Sequence, residues 1–166
     1  MKVKLFLTAL GFMVFASCKN ASDSKEATTD STNQTEQHDM TENTTGVPDI
    51  PAIPEGAKVE FKNLKDNATI SSPFTLQMGV ENMQVDSAGP VKPGSGHHHL
   101  FIDGPDSLAQ GTVVPKDSTH IHFGNAQTSY ELQLTPGKHK LTLQFADGLH
   151  RSYGSQLSKT ITVNIK

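Results

Sequence analysis

The sequence has no tryptophan and a single cysteine, Cys18, among 166 residues. One cysteine leaves no intrachain disulfide, so a hydrophobic core must hold the fold by itself. It also excludes thiolate metal clusters. A metal site here would have to use histidine, carboxylate or backbone oxygen. Long apolar runs are missing too: the stretch from Leu5 to Ala16 falls short of the roughly 20 residues a membrane-spanning helix needs. Residues 51–166 carry no excess of either charge, with ten basic side chains against ten acidic ones. A neutral domain lacks the electrostatic footprint of a nucleic-acid binder. No GxxxxGKS and no strand–GxGxxG–helix occurs, so nucleotide binding has no support. Ser95 stands near histidines without an acyl-transfer motif, and the acids are scattered rather than paired. An enzyme is therefore less expected than a binding module.

What is present begins with MKVKLFLTALGFMVFASC: two lysines, a short apolar stretch, then small residues and Cys18. This is the pattern of a signal peptide over residues 1–17. Phe15-Ala16-Ser17-Cys18 resembles a bacterial lipobox, with Phe15 where leucine is usual, which implies lipidation of Cys18. The expectation is a lipid-anchored protein of the bacterial cell envelope, facing the periplasm or the cell surface. Residues 18–50 are rich in Ser, Thr, Asn and acids and have no aromatics. From residue 19 onward, two lysines stand against Asp23, Glu26, Asp30, Glu36, Asp39, Glu42 and Asp49. Such a segment buries too little apolar surface to offset its chain entropy and reads as a disordered acidic linker. Residues 51–166 are long enough for one domain.

In that domain apolar residues recur with period two. Val59 and Phe61 alternate in this way, as do Phe74, Leu76, Met78 and Val80. The same holds for Tyr130, Leu132 and Leu134, for Leu141, Leu143 and Phe145, and for Ile161, Val163 and Ile165. These predict half-buried antiparallel strands, with HLFID (99–103) and HIHF (120–123) as two more. Turn signals such as Gly89-Pro90, Pro136-Gly137 and Asp147-Gly148 separate them, and no convincing helix is visible. Seven or more short strands at this spacing predict an all-β domain, a sandwich or barrel. LTPGKHKLTLQFADG resembles the penultimate hairpin of bacterial immunoglobulin-like domains, which favours an immunoglobulin-like antiparallel β-sandwich. A cupin-like barrel is the alternative, because His97-His98-His99 and Pro136-Gly137-Lys138-His139 faintly resemble its two motifs.

Gly96-His97-His98-His99-Leu100-Phe101-Ile102-Asp103 and His120-Ile121-His122-Phe123-Gly124 stand out next. They are followed by Gln127-Thr128, Pro136-Gly137-Lys138-His139 and Ala146-Asp147-Gly148. In that order, over roughly residues 57–166, they resemble the bacterial family known as domain of unknown function 4399, with Phe101 in place of a second leucine. The resemblance implies an exported domain and no assigned activity.

Side chains alternate faces along a strand. His97 and His99 therefore share one face with Phe101 and Asp103, and His120 and His122 share another. Two His-x-His pairs on strands can aim imidazole nitrogens at one ion, copper or zinc. His97, His99, His120 and His122 are the candidate ligands. His150, in a loop expected at the same end of the sandwich, is the fifth. Asp103 could orient a ligating ring from behind. The competing expectation is that these histidines brace the glycine loop around residues 94–99, leaving a metal-free module for an unknown protein or glycan. His98, on the Leu100 side, reads as a hydrogen-bonded core histidine, His139 as structural and His38 as an idle linker residue.

Overall fold

The computed structural model describes residues 46–166. The signal segment, Cys18 and most of the linker lie outside the described residues. Among the described residues nine strands form in chain order: β1 (Lys58–Phe61), β2 (Ala68–Ile70), β3 (Phe74–Glu81), β4 (Gln84–Val85), β5 (Ser95–Ile102), β6 (His120–His122), β7 (Ser129–Leu132), β8 (Gly137–Ala146) and β9 (Ser158–Ile165). Among the described residues the helical content is one 3-10 turn, Ser155–Leu157.

Two sheets pack as a β-sandwich. The smaller has the order β1-β3-β7 and is antiparallel throughout. The larger has the order β2-β9-β8-β5-β4, with β6 pairing β5. Its long pairings are antiparallel, but the two-residue β4 runs parallel to β5 and the three-residue β2 parallel to β9. The sheet ends in these short strands and does not close on itself, so the barrel alternative is not formed. The five period-two patterns all fall within or along observed strands. Two strands, β2 and β4, carried no sequence signal, because two or three residues are too few to display a period.

The inner face of the small sheet supplies Val59, Phe61, Leu76, Met78 and Leu132. The large sheet supplies Leu100, Leu141, Leu143, Phe145, Ile161, Val163 and Ile165. All are buried, each worth roughly 1.5–3 kcal/mol. Residues 48–50 are tied to this body. The Arg151 guanidinium donates to the carbonyls of Pro48 (2.6 Å) and Asp49 (3.4 Å), and Ile50 packs on the core.

Along β5 and the end of β8 the outer face of the large sheet is buried as well. Phe101 and Ala146 form a second small core with Val114 and Leu108 from the long connection between β5 and β6. Gln144 anchors that connection. Its side-chain oxygen accepts from the Leu108 N–H (3.0 Å), while its amide donates to the carbonyls of Gly154 (3.0 Å), Leu157 (3.1 Å) and Phe145 (3.2 Å). A buried glutamine with this many partners satisfies its polar atoms and pins the covering segment. The buried outer face is what positions the histidines.

Candidate metal centre

GSGHHHLFI is not a loop. From Ser95 onward it is the central strand β5, and Ser95 to Phe101 are all buried. Gly96 is required there, because a Cβ would overlap the carbonyl oxygen of Ala146 and the Phe145 ring. The tight approach lets β5 lie against β8, pairing His97 with Ala146 and His99 with Gln144. On its other side His99 pairs with His122, and Phe101 with His120. His97, His99 and His122 therefore share the outer face.

The fourth histidine comes from the turn after β8. Asp147 is fully buried, and its carboxylate accepts from the backbone N–H groups of Leu149 and Arg151, both at 2.9 Å. Its second oxygen holds the Arg151 guanidinium, with Nε and Nη2 each at 2.7 Å. A Cβ at Gly148 would strike the carbonyls of Gly89 and Pro90, so only glycine fits that corner. His150 then takes a left-handed backbone conformation, φ 66°, uncommon for a residue with a side chain. Its N–H bonds to the Asp147 carbonyl (2.9 Å) and its carbonyl accepts from Val114 (2.9 Å), which fixes the turn over the sheet.

The four rings converge. His97 Nε2 lies 3.0 Å from His99 Nε2, and His122 Nε2 lies 3.1 Å from His150 Nε2. Ring centroids are 4.8 Å apart for His97–His99, 5.0 Å for His97–His122, 4.9 Å for His97–His150 and 4.7 Å for His122–His150. One ligand atom from each of His97, His122 and His150 falls within 4.8 Å of the others, a group that could hold a metal ion. His99 lies behind, 5.0 Å from His122 and 5.9 Å from His150 by centroid. Gly124 makes room for this arrangement, since a Cβ there would sit inside the His122 ring. The floor, His97 and His99, is buried; His150 is half-buried and His122 exposed, so the cluster opens to solvent on one side.

Burial first, and then the neighbouring imidazoles, disfavour the protonated rings. The His97 pKa is lowered to about 4 and the His99 pKa to about 2, and His122 is shifted in the same direction. At neutral pH these rings are uncharged, the form that offers a lone pair to a metal. His97 Nδ1 is buried without a hydrogen-bond partner among the described residues.

Two expected roles are corrected. His120 does not join the cluster. Its place opposite Phe101 packs the ring on that phenyl at 4.5 Å, and its Nδ1 is bonded to the Asp117 carboxylate at 2.6 Å. Asp103 does not stand behind the clustered histidines. It holds His139 Nδ1 (2.8 Å) and the Lys140 N–H (2.8 Å), closing the far end of the β5–β8 pairing. His139 is structural, its Nε2 bonded to the Thr135 carbonyl at 3.0 Å. His98 lies in the core against Phe145, 5.0 Å by centroid. Neither of its nitrogens has a partner among the described residues, contrary to the hydrogen-bonded core histidine expected, and burial lowers its pKa to about 4. The supporting roles of Asp147, Gly124 and Gln144 were not read from the sequence, and Arg151, with Ser152 and Tyr153 a candidate recognition patch or solvated loop, instead pairs with the buried Asp147. Asp147-Gly148 signalled a turn, but nothing in it announced a buried carboxylate that positions His150.

Fold and site define a β-sandwich domain with a histidine cluster set into the covered face of its larger sheet. The chain belongs to the family described as Domain of unknown function (DUF4399), whose family model matches residues 76–166. That match contains every histidine of the cluster. No curated protein and no solved structure matches the chain.

Proposed function

We propose that the domain binds a divalent transition metal, copper or zinc, through His97, His99, His122 and His150. The reading rests on one observation above others: two Nε2···Nε2 separations of 3.0 and 3.1 Å among four neighbouring imidazoles. Nitrogens that far apart, each about 2.0–2.1 Å from one ion, subtend angles of about 94° and about 98°. Those values lie between a square-planar copper(II) site and a tetrahedral zinc site. The rings bond to one another rather than to backbone carbonyls, and the side toward His122 and His150 is open for an ion to enter. All four candidate ligands are imidazoles rather than carboxylates, so a divalent ion keeps its full charge at the site.

The wider role in this proposal is capture or delivery of the ion in the bacterial cell envelope. The lipobox-like FASC at Cys18 and the acidic linker support a lipid-anchored position there. The alternative is a metal-free module for a protein or glycan, in which the imidazoles form two neutral hydrogen-bonded pairs. The same short separations are compatible with that arrangement, one ring donating and its partner accepting.

The test is calorimetric titration of untagged protein with Zn²⁺ and with Cu²⁺, since a polyhistidine tag would add its own sites. The expected result is one ion per chain at micromolar affinity or tighter, abolished in His122→Ala/His150→Ala. Both substitutions lie at the open side, where folding is least exposed to the change. Absence of saturable binding in the folded wild type would leave the metal-free reading standing.

A further inference from the structure

The two oxidation states of copper ask for different ligands. Copper(II) prefers a tetragonal set of nitrogen or oxygen donors, whereas copper(I) is selected by soft sulfur. The cluster offers four imidazoles and no sulfur. Cys18 lies outside the described residues. The described methionines, Met78 and Met83, belong to the core between the sheets, while the rings stand on the outer face of the larger one. Geometry points the same way. The Nε2 separations of 3.0 and 3.1 Å set angles of about 94° and about 98° at an ion about 2.0–2.1 Å from each nitrogen. Both are nearer the roughly 90° of a square-planar copper(II) site than the roughly 109° of a tetrahedron. Copper(I) has the same filled d shell as Zn²⁺ and gains nothing from the flatter arrangement. The backbone behind three of the rings is fixed. His97 and His99 are buried on the central strand β5, which is paired with β8 and, at His99, with β6. Asp147 and Val114 hold the His150 turn. A path for the ion is open all the same, since His99, His122 and His150 line a cleft of about 400 Å³ beside Val113, Val114 and Pro115.

We infer that the domain takes up copper in its oxidised form and releases it on one-electron reduction. This rests on the metal reading above and deepens it, naming copper(II) as the cargo and reduction as the trigger. The reductant is a small one-electron donor of the ascorbate class. Its monoanion loses one electron and one proton and departs as the radical anion. The electron converts bound Cu²⁺ to Cu⁺, and the proton passes to solvent. Cu⁺ is then held by nitrogens arranged for the other ion, and it leaves through the cleft to an acceptor that bears sulfur ligands.

The experiment measures both affinities on untagged protein. Cu²⁺ is titrated in competition with glycine, and Cu⁺ under argon in competition with bathocuproine disulfonate. Cu⁺ is expected to bind at least tenfold more weakly than Cu²⁺, which sets the potential of the bound couple at least about 59 mV below that of the free ions. His122→Met puts a thioether at the open side of the cluster, where folding is least exposed to the change. In the folded variant the ratio of the two affinities is expected to move at least tenfold toward Cu⁺. Cu⁺ bound as tightly as Cu²⁺, or more tightly, overturns the proposal and leaves the metal site standing. A ratio that His122→Met does not move overturns it as well. Binding of neither copper ion also overturns it, and a Zn²⁺ titration of the same protein then decides whether the metal reading falls with it.

Discussion

Single residues set the geometry of the cluster, and glycine is as important there as histidine. Gly124 has no φ that demands glycine, yet a side chain there would collide with the His122 imidazole. Gly124→Ala is expected to lower metal affinity about tenfold or more by displacing that ring, and to cost about 1–3 kcal/mol of stability through overpacking. Paired calorimetry and urea melts would separate the two effects. The buried histidines also predict a pH dependence. His97 and His98 have pKa values lowered to about 4 and His99 to about 2, against an ordinary 6.5. Below pH 6.5 the unfolded chain binds protons that the folded chain refuses, so stability falls as the pH drops toward 4. Each such histidine contributes at most about 1.4 kcal/mol per pH unit. His139 acts in the opposite sense: its bond to Asp103 raises its pKa, so its contribution is present in acid and lost as pH rises through the folded value. His122 is shifted in the same direction, so with four groups against one the metal-free protein should unfold at markedly lower urea at pH 4.5 than at pH 7. A flat urea midpoint across that range would contradict the burial of these rings.

Among the elements, β5 and the segment that covers it matter most. Alternation along β8 predicted an exposed outer face, and Thr142 and Gln144 there are fully buried instead. The reason is the connection between β5 and β6, which folds back over the sheet and is pinned by Gln144. Gln144→Leu would orphan the Leu108 N–H and the Leu157 carbonyl, and would leave the Gly154 carbonyl only its bond from the Leu157 N–H (3.3 Å). The expected cost is about 2–4 kcal/mol in chemical denaturation. Hydrogen exchange should quicken at Leu108 and Val114 well before it does in β8 and β9. Protection of the covering segment unchanged in that variant would show that Val114 and Phe101 packing suffices to hold it. The turn from Asp147 to Arg151 is the other decisive element, because it brings a residue from beyond β8 back over β5.

For the whole molecule, the sandwich supplies a rigid platform whose inner face is an ordinary hydrocarbon core and whose outer face carries the polar work. With no disulfide, that core holds the fold, and an ion bound at the proposed site would add to its stability. An ion that binds only the folded chain should add about 2.7 kcal/mol at a free concentration one hundred times its Kd. A thermal scan is therefore expected to show a Tm that climbs with added Zn²⁺ or Cu²⁺ and returns on addition of a chelator. The His122→Ala/His150→Ala protein should show no such climb.

The sequence by itself determined the all-β class, the main strand set and the division of faces. Period two and turn residues are local properties, and a strand displays them in its own residues. His97 and His99 were legible as partners for the same reason: spacing along one strand decides which side chains share a face. The choice between His120 and His150 was not local. It depended on register, which set His122 against His99 but His120 against Phe101, and on a buried Asp147 that folds the next turn over the sheet. Asp103 was misjudged likewise, since sharing a face with His99 does not place it within reach. Only the tertiary structure decides contacts between residues from different strands, because those contacts follow from pairing register and from what covers a face, and neither is written in any one segment.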